Sequence, residues 1–301
     1  MRIPPARWVA LAGTVCISFS AVFVALASVS PTTAAFWRGA YALPILFAFG
    51  WAVRSRDTRS QRLRLAAVIA GAFLGVDLFF WHNSIDRIGA GLATVAAHSQ
   101  IVFVGIIAWL LYRHLPTRRT LGFGALIILG VTLISGLGRA DAFGSQPVSG
   151  AVFGVLAGLS YAWFIIVLQA SNPQGSAPAV ATLLDATIGM LAASAVLGAF
   201  TGDLSLAPSW PAHGWLILLA IVAQVVGWTL LAHALPRLPA LTVSVIILAQ
   251  PMLAVLWGRI ILSETLSPLQ ASGVALVLIG LVAVNSQRSL VTDRALALEP
   301  T

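Results

Sequence analysis

The chain has 301 residues, of which 59% are hydrophobic and 9% charged, with a mean hydropathy of +0.96. A soluble domain carries roughly 25% charged residues, so this chain cannot cover itself for water and the bilayer must be its solvent. Its formal charge is +8, yet every basic residue is Arg and most sit in short gaps between apolar runs, which excludes the one-faced basic patch of a nucleic-acid binder; the single Cys16 excludes an intramolecular disulfide and a multi-cysteine metal site.

A membrane-spanning helix needs about 20 mostly apolar residues. Reading apolar runs between breakers predicts ten spans, near 8–28, 32–53, 63–82, 91–112, 121–138, 149–169, 179–200, 212–233, 241–262 and 269–286. The breakers are Ser30-Pro31, the Arg cluster at 54–64, Asp86-Arg87, Leu115-Pro116, Gln146-Pro147, Asn172-Pro173, Pro208, Pro236 and Ser267-Pro268. No gap is long enough for a soluble domain. The first span, with Arg2, Arg7 and Ala25-Leu26-Ala27, imitates a secretory signal, but a duplicated chain requires a first helix to match a sixth. With a cytoplasmic N-terminus, thirteen Arg fall on the inner side and only Arg87 and Arg139 on the outer, so both termini are expected inside the cell membrane.

The sequence also repeats itself. With a shift of 150 residues, Arg87 falls on Arg237, Ala90 on Ala240, Val95 on Val245, Gln100 on Gln250 and Gly130 on Gly280. Five spans per half is an odd number, so the second copy must enter the membrane from the opposite side. The expected fold is therefore all-α and integral to the membrane, with ten transmembrane helices as two inverted five-helix repeats. The repeats fall at 1–142 and 143–288, followed by a cytoplasmic tail at 289–301. Secondary transporters are built this way, with the substrate near the midplane between the halves. A duplicated structural membrane protein is the alternative.

The chain resembles the ten-helix EamA-type exporters of the drug/metabolite transporter superfamily. The resemblance is carried by Phe36-Trp37-Arg38, by Ala90-Gly91-Leu92-Ala93 running into Gln100 and Pro116, and by a fuller second copy. That copy holds Gln250-Pro251, Ser263-Glu264-Thr265-Leu266-Ser267-Pro268, Gly273 and Gly280. In the first copy Ile101 stands in place of the Pro, and His114 in place of Glu264. The resemblance covers the whole chain and implies efflux of small metabolites, often amino acids, through a cavity lined by the third, fourth, eighth and ninth spans. The fifth and tenth spans would be peripheral, and Pro251 a hinge.

Polar groups within a span are costly, so they tend to face a cavity or a partner. Gln100 and Gln250 lie roughly 13 Å into their spans and are equivalent by repeat. Each amide can bind a zwitterion, or they can hold the two spans together. Arg38 and Asp185 correspond with a shift of 147, as an ion pair or with separate partners; Arg38 could bind a carboxylate in bidentate fashion. Asp77 and Trp81 share a helix face, and His98 follows on the next span. Asp77 with His98, or Asp185, are the candidates for proton coupling or an ion pair. Trp163, beside Tyr161, is the aromatic best placed for an apolar substrate. The opposite face of that helix carries Gly150, Gly154 and Gly158, a close-packing stripe.

The expectation is thus a secondary exporter of small metabolites, amino acids with aromatic or apolar character favoured, working by alternating access. It would act as a monomer or homodimer in the bilayer, without cofactor, metal or nucleic acid. Multidrug or cation efflux is the alternative within transport. A membrane enzyme is disfavoured because neither H-E-x-x-H nor G-x-S-x-G occurs.

Overall fold

The computed structural model describes residues 5–113 and 117–297. His114 and Pro116 lie outside the described residues. Among the described residues no strand occurs, and the helices follow the expected spans closely. The first crossing is α1 (Ala6–Ser18) with α2 (Ser20–Ala27), interrupted at Phe19, and the second is α3 (Pro31–Ala52). The third crossing and the start of the fourth form one long helix, α4 (Gln61–Ala97), and the fourth continues as α5 (Gln100–Tyr112). The fifth is α6 (Arg118–Ile134), the sixth α7 (Pro147–Ser171) and the seventh α8 (Ala179–Thr201). The eighth is α9 (Ala212–Leu218), a π-helical stretch Leu219–Gly227 and α10 (Trp228–Ala234). The ninth and tenth are α11 (Ala240–Ile261) and α12 (Pro268–Ala297).

Local chemistry sets these ends. Ser30 caps α3 by accepting a hydrogen bond from Thr33 N at 3.3 Å, with Pro31 in the first turn. Thr117 does the same for α6. Gly202, left-handed at φ 71°, closes α8. The expected gap between spans three and four is not a loop. Helix α4 runs through it and turns at Gly89, where φ is +82° and a side chain would be strained. The expected tail also begins as helix, since α12 continues to Ala297.

The core lies where α4 packs against α7 and α8, with α3 against α8. Close approach is enforced by Gly71 and Gly189: a Cβ on either would overlap a backbone carbonyl of the facing helix, Ala186 O or Val68 O. The Gly150–Gly154–Gly158 face of α7 lies on residues 87–88, 96–97 and 99–100 at the end of α4 and start of α5, as a packing stripe. Helices α6 and α12 pair with each other at the edge, Gly130 facing Gly273.

The two faces of the bundle are both tied across the chain. On the N-terminal face, Thr58 Oγ1 donates to Ser176 O at 2.9 Å and Arg59 pairs with Asp185. On the opposite face, Thr32 donates to Asp203 at 2.6 Å and Trp37 Nε1 to Ser205 O at 3.0 Å. Tyr41 Oη and His213 Nδ1 also share a hydrogen bond there, at 2.6 Å.

Candidate functional site

A cavity of about 200 Å³ lies at mid-depth, reached by α1–α5, α7, α10 and α11. Its polar lining comes from Ser20, Arg38, Asp77, His98, Gln100 and Gln250, and its apolar walls include Trp81, Tyr161 and Trp228. Its lining continues along Ile165 and Leu231 to Leu235, toward the N-terminal face.

Two irregularities of the backbone lie next to this space. The fourth crossing is interrupted at His98–Ser99, where the last turn of α4 tightens to i→i−3 bonds, His98 N to Val95 O and Ser99 N to Ala96 O. The eighth crossing widens to a π-helix over Leu219–Gly227, a form that recurs at functional sites. Pro251, by contrast, sits inside the continuous α11. The break thus falls in the copy that lacks the proline.

Arg38 is 4% exposed, and its Nε donates to Gln224 Oε1 at 2.8 Å. Gln224, fully buried in the π-helical stretch, in turn donates to Thr187 Oγ1 at 3.3 Å. This chain fixes the guanidinium plane. Among the described residues Arg38 makes no other hydrogen bond, so its two Nη groups remain for a ligand. Asp77 is 6% exposed and forms neither a hydrogen bond nor an ion pair among the described residues. Ser20 Oγ and Trp228 Nε1 are also buried without a partner. His98 Nδ1 lies 2.7 Å from Thr94 O, an acceptor, so Nδ1 carries the proton and Nε2 of the neutral ring is the acceptor.

Of the residues singled out from the sequence, Arg38, Asp77, Trp81, His98, Gln100 and Gln250 line this one cavity. Among the described residues the two Gln side chains form no hydrogen bond with each other; both face the cavity. Two residues are placed elsewhere. Trp163 turns away from the cavity and stacks on Phe73 at 5.9 Å. Tyr161 faces the cavity instead, because two helical positions are about 200° apart. Asp185 does not meet Arg38. Its carboxylate takes Arg59 Nη2 at 2.7 Å and Arg64 Nη2 at 3.5 Å near the N-terminal face. Of the two readings of this correspondence, an ion pair or separate partners, the geometry is that of separate partners. Gln224, an amide within an apolar run and so itself a candidate from the sequence, is placed behind Arg38, and the deep Trp228 joins the cavity wall.

A many-spanned helical bundle with a buried, partly unpaired polar cavity at mid-depth is the architecture of a membrane transporter. The chain belongs to the EamA-like transporter family, whose model matches residues 5–136 and 148–286. It is a multi-pass membrane protein of a ten-helix fold and not an enzyme. It is 28% identical over 255 residues to the threonine/homoserine exporter RhtA of Escherichia coli K12, covering 83% of this chain and 78% of that one. It is 25% identical to an uncharacterized transporter of Archaeoglobus fulgidus, covering 94% and 99%. A solved crystal structure shares its fold with a TM-score of 0.62 at 16% identity, covering 94% of this chain and 97% of that one.

Proposed function

We propose that this protein exports small amino acids as zwitterions across the cytoplasmic membrane, by alternating access between two inverted five-helix repeats. The carrying observation is that one cavity holds, among the described residues, the free Nη groups of Arg38 and an Asp77 carboxyl without a hydrogen-bond partner. A substrate carboxylate would take the guanidinium in bidentate fashion. Its ammonium would take Asp77, and the amides of Gln100 and Gln250 supply further donors and acceptors. Trp81, Tyr161 and Trp228 would enclose the side chain. The relatives named as threonine/homoserine exporters support an amino acid. The two family matches, each over five crossings, support the inverted repeat. With the Arg-rich face cytoplasmic, the cavity's extension to Leu235 supports loading from the inner side.

The test is flux of a panel of radiolabelled amino acids out of liposomes holding purified protein. Gradient-driven efflux of at least one is the expected result; folded protein that moves none would sink the reading. Asp77 among aromatic walls also suits an organic cation, so the same liposomes loaded with ethidium test multidrug efflux. Transport of ethidium without amino acids would favour that alternative.

A further inference from the structure

Away from the cavity, a second cleft of about 120 Å³ opens between the end of α3, the start of α4 and the start of α8. It is lined by three guanidinium groups, Arg54, Arg59 and Arg64, against two carboxylates, Asp57 and Asp185. Arg59 forms its floor. The side chain is fully buried, its Nε and Nη2 are bound to Asp57 at 3.0 and 2.8 Å, and Nη2 also reaches Asp185. Among the described residues its Nη1 has no partner. A buried guanidinium donor left unpaired costs free energy unless a ligand meets it. Arg64, at the mouth, is 55% exposed and holds Asp185 only at 3.5 Å, so it is free to turn to another anion.

The cleft borders the bilayer. Arg54 lies over the ring of Trp51 at 4.1 Å, and Trp51 stacks on Phe47 at 6.1 Å. Both rings are more than half exposed, on the lipid-facing side of α3. An aromatic strip leading out of an arginine cleft at the end of a span matches a lipid whose chains lie along the strip and whose phosphate enters the cleft. We propose that this cleft binds the phosphate of an anionic phospholipid. A soluble phosphate shares that chemistry, but it would leave Phe47 and Trp51 without a role.

The test uses the full-length protein in bilayers of equal phosphatidylglycerol and phosphatidylcholine, extracted and weighed by native mass spectrometry. Preferential retention of phosphatidylglycerol is expected, falling roughly tenfold in the Arg54→Gln/Arg64→Gln double variant. Equal retention of the two lipids by the wild type, a measurement that does not depend on the variant's folding, would overturn the proposal. So would undiminished phosphatidylglycerol on a folded double variant. Millimolar inorganic phosphate is added in a third arm; phosphate bound to protein that shows no lipid preference would assign the cleft to a soluble anion and overturn the lipid. The transport cavity takes no part in this readout, so its outcome is independent of the export assay.

Discussion

Glu264, in the turn between α11 and α12, caps the fourth crossing where it begins at Ala90. Its Oε1 accepts from Ala90 N at 2.5 Å and its Oε2 from Gly91 N at 3.0 Å, and the side chain is buried. A carboxylate on the first free amides of a helix is the favourable arrangement for the helix dipole. Here it also ties the second family match to the first. Glu264→Gln presents an amide N–H₂ where two N–H groups point. The expected cost is about 1–3 kcal/mol of stability, read as a lower melting temperature in detergent, together with slower flux. Gly258→Ala should imitate it, since a Cβ there would overlap Oε2. A Glu264→Gln protein with wild-type melting would show that the cap contributes nothing.

Arg38 and Asp77 make a sharper pair of variants. Each would lose a charge-assisted contact worth about 1.5–3 kcal/mol, or roughly 10- to 100-fold in substrate affinity. Arg38→Gln should weaken binding of amino acids while sparing analogues that lack the carboxylate. Asp77→Asn should spare analogues that lack the ammonium. Flux of both analogues falling equally in both variants would dissociate the charges from the two ends of the substrate.

The spans were legible because twenty apolar residues between breakers have few other fates in water or lipid. So was much of the cavity, since a polar side chain in such a run must find a partner or a pocket. The orientation of neighbours was not. Nothing in the sequence says which of Tyr161 and Trp163 turns inward, and both lie in the same apolar run. The Arg cluster at 54–64 read only as a topology signal, yet Arg59 within it closes a buried network with Asp185. The long α4 was hidden because Asn83–Ile88 reads as a polar gap, though its residues are compatible with helix until Gly89.

That contrast between Tyr161 and Trp163 is directly measurable. Tyr161→Phe removes a hydroxyl from the cavity wall and should raise KM for export. Trp163→Phe keeps an aromatic against Phe73 and should leave flux within about twofold of wild type, since only part of a stacking contact of about 0.5–1.5 kcal/mol is lost. The reverse ranking in the liposome assay would return Trp163 to the substrate path.

The Arg59 network also sets a pH dependence. The hydrogen bond from Arg59 holds the Asp57 carboxyl below the usual carboxylate range, and Asp57 lies in the α3–α4 connection outside the spans. An acid whose pKa is depressed on folding stabilises the native state above its unfolded value, about 4, and that contribution is lost as pH falls through the folded value. The melting temperature of the solubilised protein should therefore decline as pH drops below about 4. Asp57→Asn removes the titrating group, so its decline over that interval should be shallower. It should also melt lower than wild type at neutral pH, because Arg59 then keeps only Asp185 as a charged partner in the floor of the cleft. Identical pH curves for the two proteins would mean that Asp57 is no better held in the folded chain than in the unfolded one.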